Sequence, residues 1–382
     1  MNVITSKKDL LRVLTRCQAV ADKRSTMPVL GNVLLEAGDD GLRLAATDLY
    51  LAVSGTVPAE VKEPGSIAVP ARDLFDRVRM MPDGQVGIAT KDNLATTLRA
   101  VGAARRYTLR GIPGSEFPSL PQSDDDAQSI VLDAQTLSDL IASTQCSISE
   151  DVSRLHLNSA LFECGEDRVR MVTTDGHRLS KREFVVTGEH ANTTMLIPLK
   201  GVTELKRLCD EALAKSNKAE EGECPQLELT QVGPFAFFQL AGFQFSVKLV
   251  DGQFPPFEQI VPETSERTVR VSRQLLADAL RAVSLATSDR TGGVKVTLTP
   301  GKVRLESESP ESGEGFDEVP VEYDGAEITL GFCAGYLLDV LGAIDSDEVV
   351  LGVGAELDPA VIKPATDGDG SSYLAVVMPM RV

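Results

Sequence analysis

Residues 32–48, NVLLEAGDDGLRLAATD, and residues 159–175, SALFECGEDRVRMVTTD, lie over one another without a gap. Glu36 falls on Glu163, Gly38 on Gly165, Thr47 on Thr174 and Asp48 on Asp175, each pair 127 positions apart. Within the first copy Val33-Leu34-Leu35 leads into a turn at Gly38-Asp39-Asp40-Gly41, and Leu42-Arg43-Leu44 leaves it in period two, the pattern of a β-hairpin. A constant offset across a hairpin-sized segment marks an internal repeat, and a repeat sets the architecture of a chain before any single motif does.

The elements around the hairpin recur in the same order. Residues 6–24 read as a helix ahead of the first copy. After it come alternation through Leu49, Leu51 and Val53, a second helix over Val69 to Val78 stopped by Pro82-Asp83-Gly84, and short strands to Tyr107-Thr108-Leu109 and Phe117-Pro118. Residues 121–128, PQSDDDAQ, form an acidic linker. The second pass gives a helix within 133–150, with Leu137 on Leu10 at the same offset of 127, then the hairpin, a helix over Leu196 to Leu208, a polar loop at 214–225, and strands closing on Phe254-Pro255. The third gives a helix at 272–286, a hairpin from Val294 to Leu305, an acidic loop at 306–318, a helix within 333–347 and the terminal strand Tyr373 to Val382. The expectation is an α+β protein of three repeated domains, 1–122, 128–258 and 266–382, each with two helices packed on antiparallel sheets.

Composition narrows the function classes. No apolar run approaches about 18 residues and MNVITSKKDL has no apolar signal core, so the expected protein is soluble and cytoplasmic. The six cysteines never take Cys-x-x-Cys spacing and three histidines are too scattered for a zinc cluster, so no metal is expected. A nucleotide loop of the Gly-x-x-x-x-Gly-Lys type is missing, and Gly352-Val353-Gly354 lacks its third glycine, so no cofactor is expected. The acidic runs 124–126 and 216–223 read as linker and loop rather than a metal-binding cluster. Asp175 and His177 suggest an acid–base pair, but Asp48 holds the equivalent place with Leu49-Tyr50 behind it and no histidine. Repeat symmetry makes the aspartate a turn former, and no catalytic residue is assigned.

A formal charge of −18 argues against nucleic acid only as a sum, whereas phosphates respond to where the cations lie. At about 100° per residue, Lys8, Arg12, Arg16 and Lys23 fall on one side of the first helix and Leu10, Leu14, Cys17 and Ala21 on the other. Residues 7–24 hold six Lys and Arg against Asp9 and Asp22, a local +4. Such a face is either solvated or tracks a phosphate backbone.

Five motifs, in order along the whole chain, resemble the bacterial DNA polymerase III beta subunit family, the DNA sliding clamps. They are Pro28 to Asn32, Val69-Pro70-Ala71-Arg72, Thr174 to Leu179, Lys248 to Gly252 with Phe254-Pro255, and Val376 to Arg381. The resemblance implies domains of the DNA-clamp type and a head-to-tail homodimer closing a six-domain ring, helices inside and sheets outside, with no chemistry of its own. Non-specific phosphate binding, about 10⁻⁴ to 10⁻⁶ M at physiological salt, does not hold a polymerase on its template; enclosing the duplex replaces affinity with topology. Implied DNA contacts are Lys8, Arg12, Arg16, Lys23, Arg24, Arg72, Lys200 and Arg207, making the hole positive mainly through the first domain and the second helix of the second.

The same resemblance implies a partner-peptide pocket between the second and third domains. Arg154, Leu157, Thr174, Gly176, His177, Arg178, Leu179, Pro255 and Ile260 form one side, and Leu357, Val376, Val377, Met378, Pro379, Met380 and Arg381 the other. Methionine is flexible and polarizable enough to accept different peptides. Leu155-His156 stand where the family carries an aromatic pair. Tyr107, Leu109 and Leu285 match dimer-interface positions. Implied partners are double-stranded DNA without sequence preference, the DNA polymerase III alpha subunit, the clamp loader, and other polymerases and repair proteins carrying a clamp-binding peptide. No membrane is involved, and the location is cytoplasmic, at the nucleoid. The alternative from another class is a repeat-built scaffold that binds only proteins.

Overall fold

The computed structural model describes residues 1–124, 126–186, 192–217, 223–287, 292–366, 368 and 370–381. It has two compact units, Met1–Ala134 with Ala212–Lys248, and Gln135–Glu211 with Leu249–Val382. Among the described residues there are six α-helices: α1 Lys7–Val20, α2 Ala71–Arg79, α3 Ala134–Thr144, α4 Leu199–Ser216, α5 Arg273–Ser284 and α6 Ala334–Ala343. None is long and apolar enough to cross a membrane.

In the first unit, α1 starts at Ser6, whose hydroxyl accepts the Asp9 N–H at 3.5 Å. It buries Leu10, Val13, Leu14, Cys17 and Val20 along one stripe. The expected helix to residue 24 stops at Val20. Ala21 turns to ψ 125°, the Asp22 N–H goes to the Leu30 carbonyl at 2.9 Å, and the Asp22 carboxylate accepts the Arg24 N–H at 2.8 Å. That local turn outcompetes another helical turn, so Lys23 and Arg24 lie beyond the helix. Similarly α2 begins at Ala71, because Val69 and Pro70 end the strand Gly65–Pro70.

Two sheets complete this unit. One runs in spatial order Ala59–Glu63, Asn2–Ser6, Gln85–Thr90, Ala95–Ala100, Arg106–Arg110. The other runs Ile112–Pro113, Gly65–Pro70, Asn32–Gly38, Gly41–Thr47, Leu51–Val57, Phe243–Lys248, Phe235–Leu240, Gln226–Val232, Ser129–Asp133. Strands of the second repeat thus extend the sheet of the first.

The second unit repeats that construction. Its larger sheet runs Thr193–Pro198, Ser159–Cys164, Arg168–Thr174, Arg178–Val185, Ser371–Val377, Ala360–Pro364, Glu348–Val353, Arg267–Ser272, and its smaller one Gly313–Pro320, Lys302–Ser309, Gly293–Thr299, Ile328–Cys333. The hairpins that open the sequence comparison fold alike. Glu36 faces Arg43 and Glu163 faces Arg170 in matching registers.

Four expectations change here. Residues 306–318 are a hairpin, not a loop: Val303, Leu305, Ser307 and Ser309 alternate inward, and Gly313 at φ +80° makes the reversal possible. The helix placed within 133–150 ends at Thr144 and gives way to a 3₁₀ turn at Gln145–Ser147. The helix read over 196–208 begins at Leu199 and runs on to Ser216, shortening the polar loop read at 214–225, of which residues 218–222 lie outside the described residues. Finally, α5 and α6 are shorter than 272–286 and 333–347.

Candidate functional site

The turn after the repeated hairpin is built the same way twice. The Thr174 hydroxyl donates to the Arg178 carbonyl at 2.7 Å, and Asp175 Oδ1 accepts the N–H groups of His177 and Arg178 at 2.8 and 3.0 Å. In the first repeat Thr47 donates to the Leu51 carbonyl at 2.8 Å, and Asp48 Oδ1 accepts from Tyr50 and Leu51 at 2.9 and 2.6 Å. Both aspartates therefore hold backbone. Asp175 bonds the main chain of His177, not its ring, as a turn-forming residue would.

What the second repeat adds is a set of side chains aimed at α6. Arg178 Nε donates to Asp175 Oδ2 at 3.0 Å and Nη1 to Asp339 Oδ2 at 2.5 Å, and the guanidinium lies 4.5 Å from the centre of the Tyr336 ring. The His177 and Tyr336 rings stack with centroids 6.3 Å apart and planes 18° apart. Burial works against the charge of Arg178, but the hydrogen bond and charge of Asp339, with those of Asp175, outweigh it and hold its pKa above the ordinary arginine value. Burial, with the nearby Asp175, raises the Tyr336 phenol. Burial likewise raises the Cys146 thiol, which makes it a weak nucleophile.

These groups border an open cleft of about 960 Å³, floored by the end of α3 and the start of α4 and walled by α6, with Glu150, Asp151 and Arg154 at its rim. Of the expected pocket residues, Arg154, His177 and Arg178 line this cleft. Gly176 and Ile260 are exposed, as is Leu357, while Pro255 is half-buried. Leu157, Thr174, Leu179, Val376 and Val377 are buried beneath, with Leu179 and Val376 in one apolar cluster with Phe257. Met378 and Pro379 are half-buried, and the Met378 N–H is tied to the His177 carbonyl at 2.8 Å. Met380 bonds Gly331 at 2.8 Å, and with Arg381 it lines a second cleft of about 730 Å³ beside Phe316. Three of the sixteen expected residues thus line the first cleft and two the second, and the other eleven line neither.

Tyr336 and Asp339 were not read from the sequence. They stand one helical turn apart and so share a face of α6, but nothing local says that this face meets the turn at Arg178.

The cationic residues are variously engaged. Lys8, Lys23, Arg24, Arg72, Lys200 and Arg207 are exposed and Arg16 half-buried. Arg12 donates to the Ala241 carbonyl at 3.2 Å and lies 5.1 Å over Phe243. Arg72 sits 3.8 Å from Asp76, and Arg207 2.5 Å from Glu204. At the expected interface positions Leu285 is 82% exposed, Tyr107 half-buried, and Leu109 packed inside its own sheet.

Known proteins resemble the chain along its whole length. Residues 1–121, 131–256 and 258–381 match the N-terminal, central and C-terminal domains of the DNA polymerase III beta subunit. The beta sliding clamp of Proteus mirabilis is 34% identical and that of Escherichia coli K12 30% identical, each over all of both chains. The crystal structure of the DNA polymerase III subunit beta from Pseudomonas aeruginosa superposes with a TM-score of 0.89 at 30% identity, covering both chains completely. The chain therefore belongs to the DNA polymerase III beta subunit family, the beta sliding clamps, and is built of three clamp domains.

Proposed function

We propose that the protein is a DNA polymerase processivity factor: a non-catalytic clamp that encircles duplex DNA without sequence preference as a head-to-tail homodimer. The domains are taken as 1–122, 128–258 and 266–382. One observation carries the ring. The last strands of the second repeat extend the sheet of the first at Leu51–Val57 beside Phe243–Lys248, and those of the third extend the second at Arg178–Val185 beside Ser371–Val377. By the same rule the third repeat's Gly313–Pro320, offset by 135 from Arg178–Val185, awaits a strand, and it is an edge. The first repeat's last long strand, Arg106–Arg110, is an edge as well.

An open edge is a template for another strand. Two copies satisfy both edges head to tail, a heterologous contact that closes after two subunits. Charge favours the match, Arg105, Arg106 and Arg110 on one side meeting Glu311, Glu314 and Asp317 on the other. Tyr107 and the exposed Leu285 belong to this contact, with Leu109 supporting it from behind.

Inside such a ring, Lys8, Arg12, Arg16, Lys23, Arg24, Arg72, Lys200 and Arg207 face the phosphates. Arg12 and Arg207 reach a phosphate by turning from, or sharing their N–H groups with, the Ala241 carbonyl and Glu204 that they now bind. The acidic excess lies outside. The cleft beside His177 and the C-terminal segment receive the peptide by which the DNA polymerase III alpha subunit, the clamp loader, and other polymerases and repair proteins dock. The work is done at the nucleoid, in the cytoplasm.

Primer extension on a primed single-stranded circle, with alpha subunit and clamp loader from the same organism, tests this reading. Adding the protein lengthens products from short stretches to most of the circle; unchanged product length contradicts it.

A further inference from the structure

Arg178 departs from what the repeat requires. Its equivalent in the first repeat, 127 positions earlier, is Leu51, a buried strand residue. Tyr336 and Asp339, compared with the preceding helix at an offset of 135, stand where Gly201 and Glu204 do, and Glu204 pairs with Arg207 inside its own helix. The fold is thus made once without an arginine in this place and once without the tyrosine. The three residues form a feature added where the second domain meets the third.

Two of the three guanidinium nitrogens of the arginine are engaged by carboxylates. Nε binds Asp175 on its own turn, Nη1 binds Asp339 on α6, and the guanidinium carbon lies 4.5 Å over the Tyr336 ring. Its side chain is 11% exposed whereas that of Asp339 is 51% exposed. An incoming peptide meets a guanidinium already held by two carboxylates, so Arg178 acts as a rivet rather than an anion receptor. Without Asp339, the remaining carboxylate partner Asp175 lies on the same turn, the hydrogen bond from that turn to α6 is lost, and the ring contacts of Tyr336 with Arg178 and His177 are left to hold α6 there. The Tyr336 ring, stacked on His177 at the cleft wall, then loses its seat.

We propose that Asp339 is a positioning residue for partner binding: through Arg178 it sets the Tyr336 ring against His177, and peptides dock on the surface so formed. This rests on the reading of the cleft as the partner-peptide site. Asp339 need not touch the peptide.

The test measures the affinity of the immobilised full chain for purified alpha subunit. Wild type binds, Asp339→Asn binds about tenfold more weakly or worse, and Asp339→Glu, which restores the carboxylate, stays within about threefold of wild type. Arg178→Gln weakens binding, and adding Asp339→Asn to it costs little more, since both remove one coupled contact. The thermal midpoint of Asp339→Asn stays within about 2 °C of wild type, separating positioning from loss of fold. Wild-type affinity in Asp339→Asn, failure of the glutamate to rescue, or additive losses in the double variant overturns the proposal. A wild-type chain that does not bind alpha subunit overturns the peptide-site reading itself, and the proposal with it.

Discussion

Leu49 and Gly176, 127 positions apart, occupy the same place in their turns and the same left-handed backbone region, at φ +76° and +92°. Only the glycine does so without a steric cost. A Cβ on Gly176 would meet nothing within 4 Å, so Gly176→Ala is destabilising through backbone conformation alone, by about 1 kcal/mol. Leu49→Gly removes strain while loosening the unfolded chain, and its stability stays within about 1 kcal/mol of wild type on the favourable side. Denaturant melts of the two variants check the opposite signs.

The repeated cross-strand pairs make a second internal comparison. Arg43 and Glu36 meet at 2.8 Å with side chains about two-fifths exposed, so Arg43→Gln costs at most about 0.5 kcal/mol. Arg170 is more enclosed, pairs with Glu163 and lies 5.3 Å over Phe257, so Arg170→Gln costs roughly 1–2 kcal/mol. Equal costs in urea melts would contradict the assignment.

Complete burial pushes the Cys17 thiol up to about 12 from an ordinary 9.0. The unfolded chain releases this proton first, so between pH 9 and 12 the native state binds more protons and stability falls as pH rises. The Cys17 contribution approaches about 1.4 kcal/mol per pH unit within that window and is absent below it. Cys17→Ala flattens that part of the stability curve; parallel curves for the two proteins would count against it. Native Cys17 also resists maleimide at neutral pH.

Charge across the proposed dimer contact is open to reversal. Arg106→Glu with Arg110→Glu raises the dimer dissociation constant by at least about tenfold, and Glu314→Arg with Asp317→Arg in the partner copy recovers most of it. Sedimentation of the mixed variants reads this directly. No weakening in the first pair places the contact elsewhere.

Much of the fold was legible because its information is local. The hairpins, their offset and the apolar stripe of α1 all follow from side-chain period and turn residues within about twenty positions. Strand exchange between repeats was not: Leu51 beside Val247 and Arg178 beside Val377 are pairings of distant segments. The hairpin at 302–320 was obscured because Glu306, Glu308, Glu314 and Glu318 give its outer face the composition of a loop. At the site, the Thr174-to-Leu179 turn is named by its own sequence. Tyr336 and Asp339 are ordinary helix residues until a distant arginine reaches them.

Encirclement is a topological property, and retention on DNA measures it most directly. The protein is loaded onto nicked circular duplex, washed in high salt, and the circle is then cut once. Protein stays through the wash on intact circles and leaves when the circle is linearised. Equal retention on circular and linear DNA would contradict encirclement.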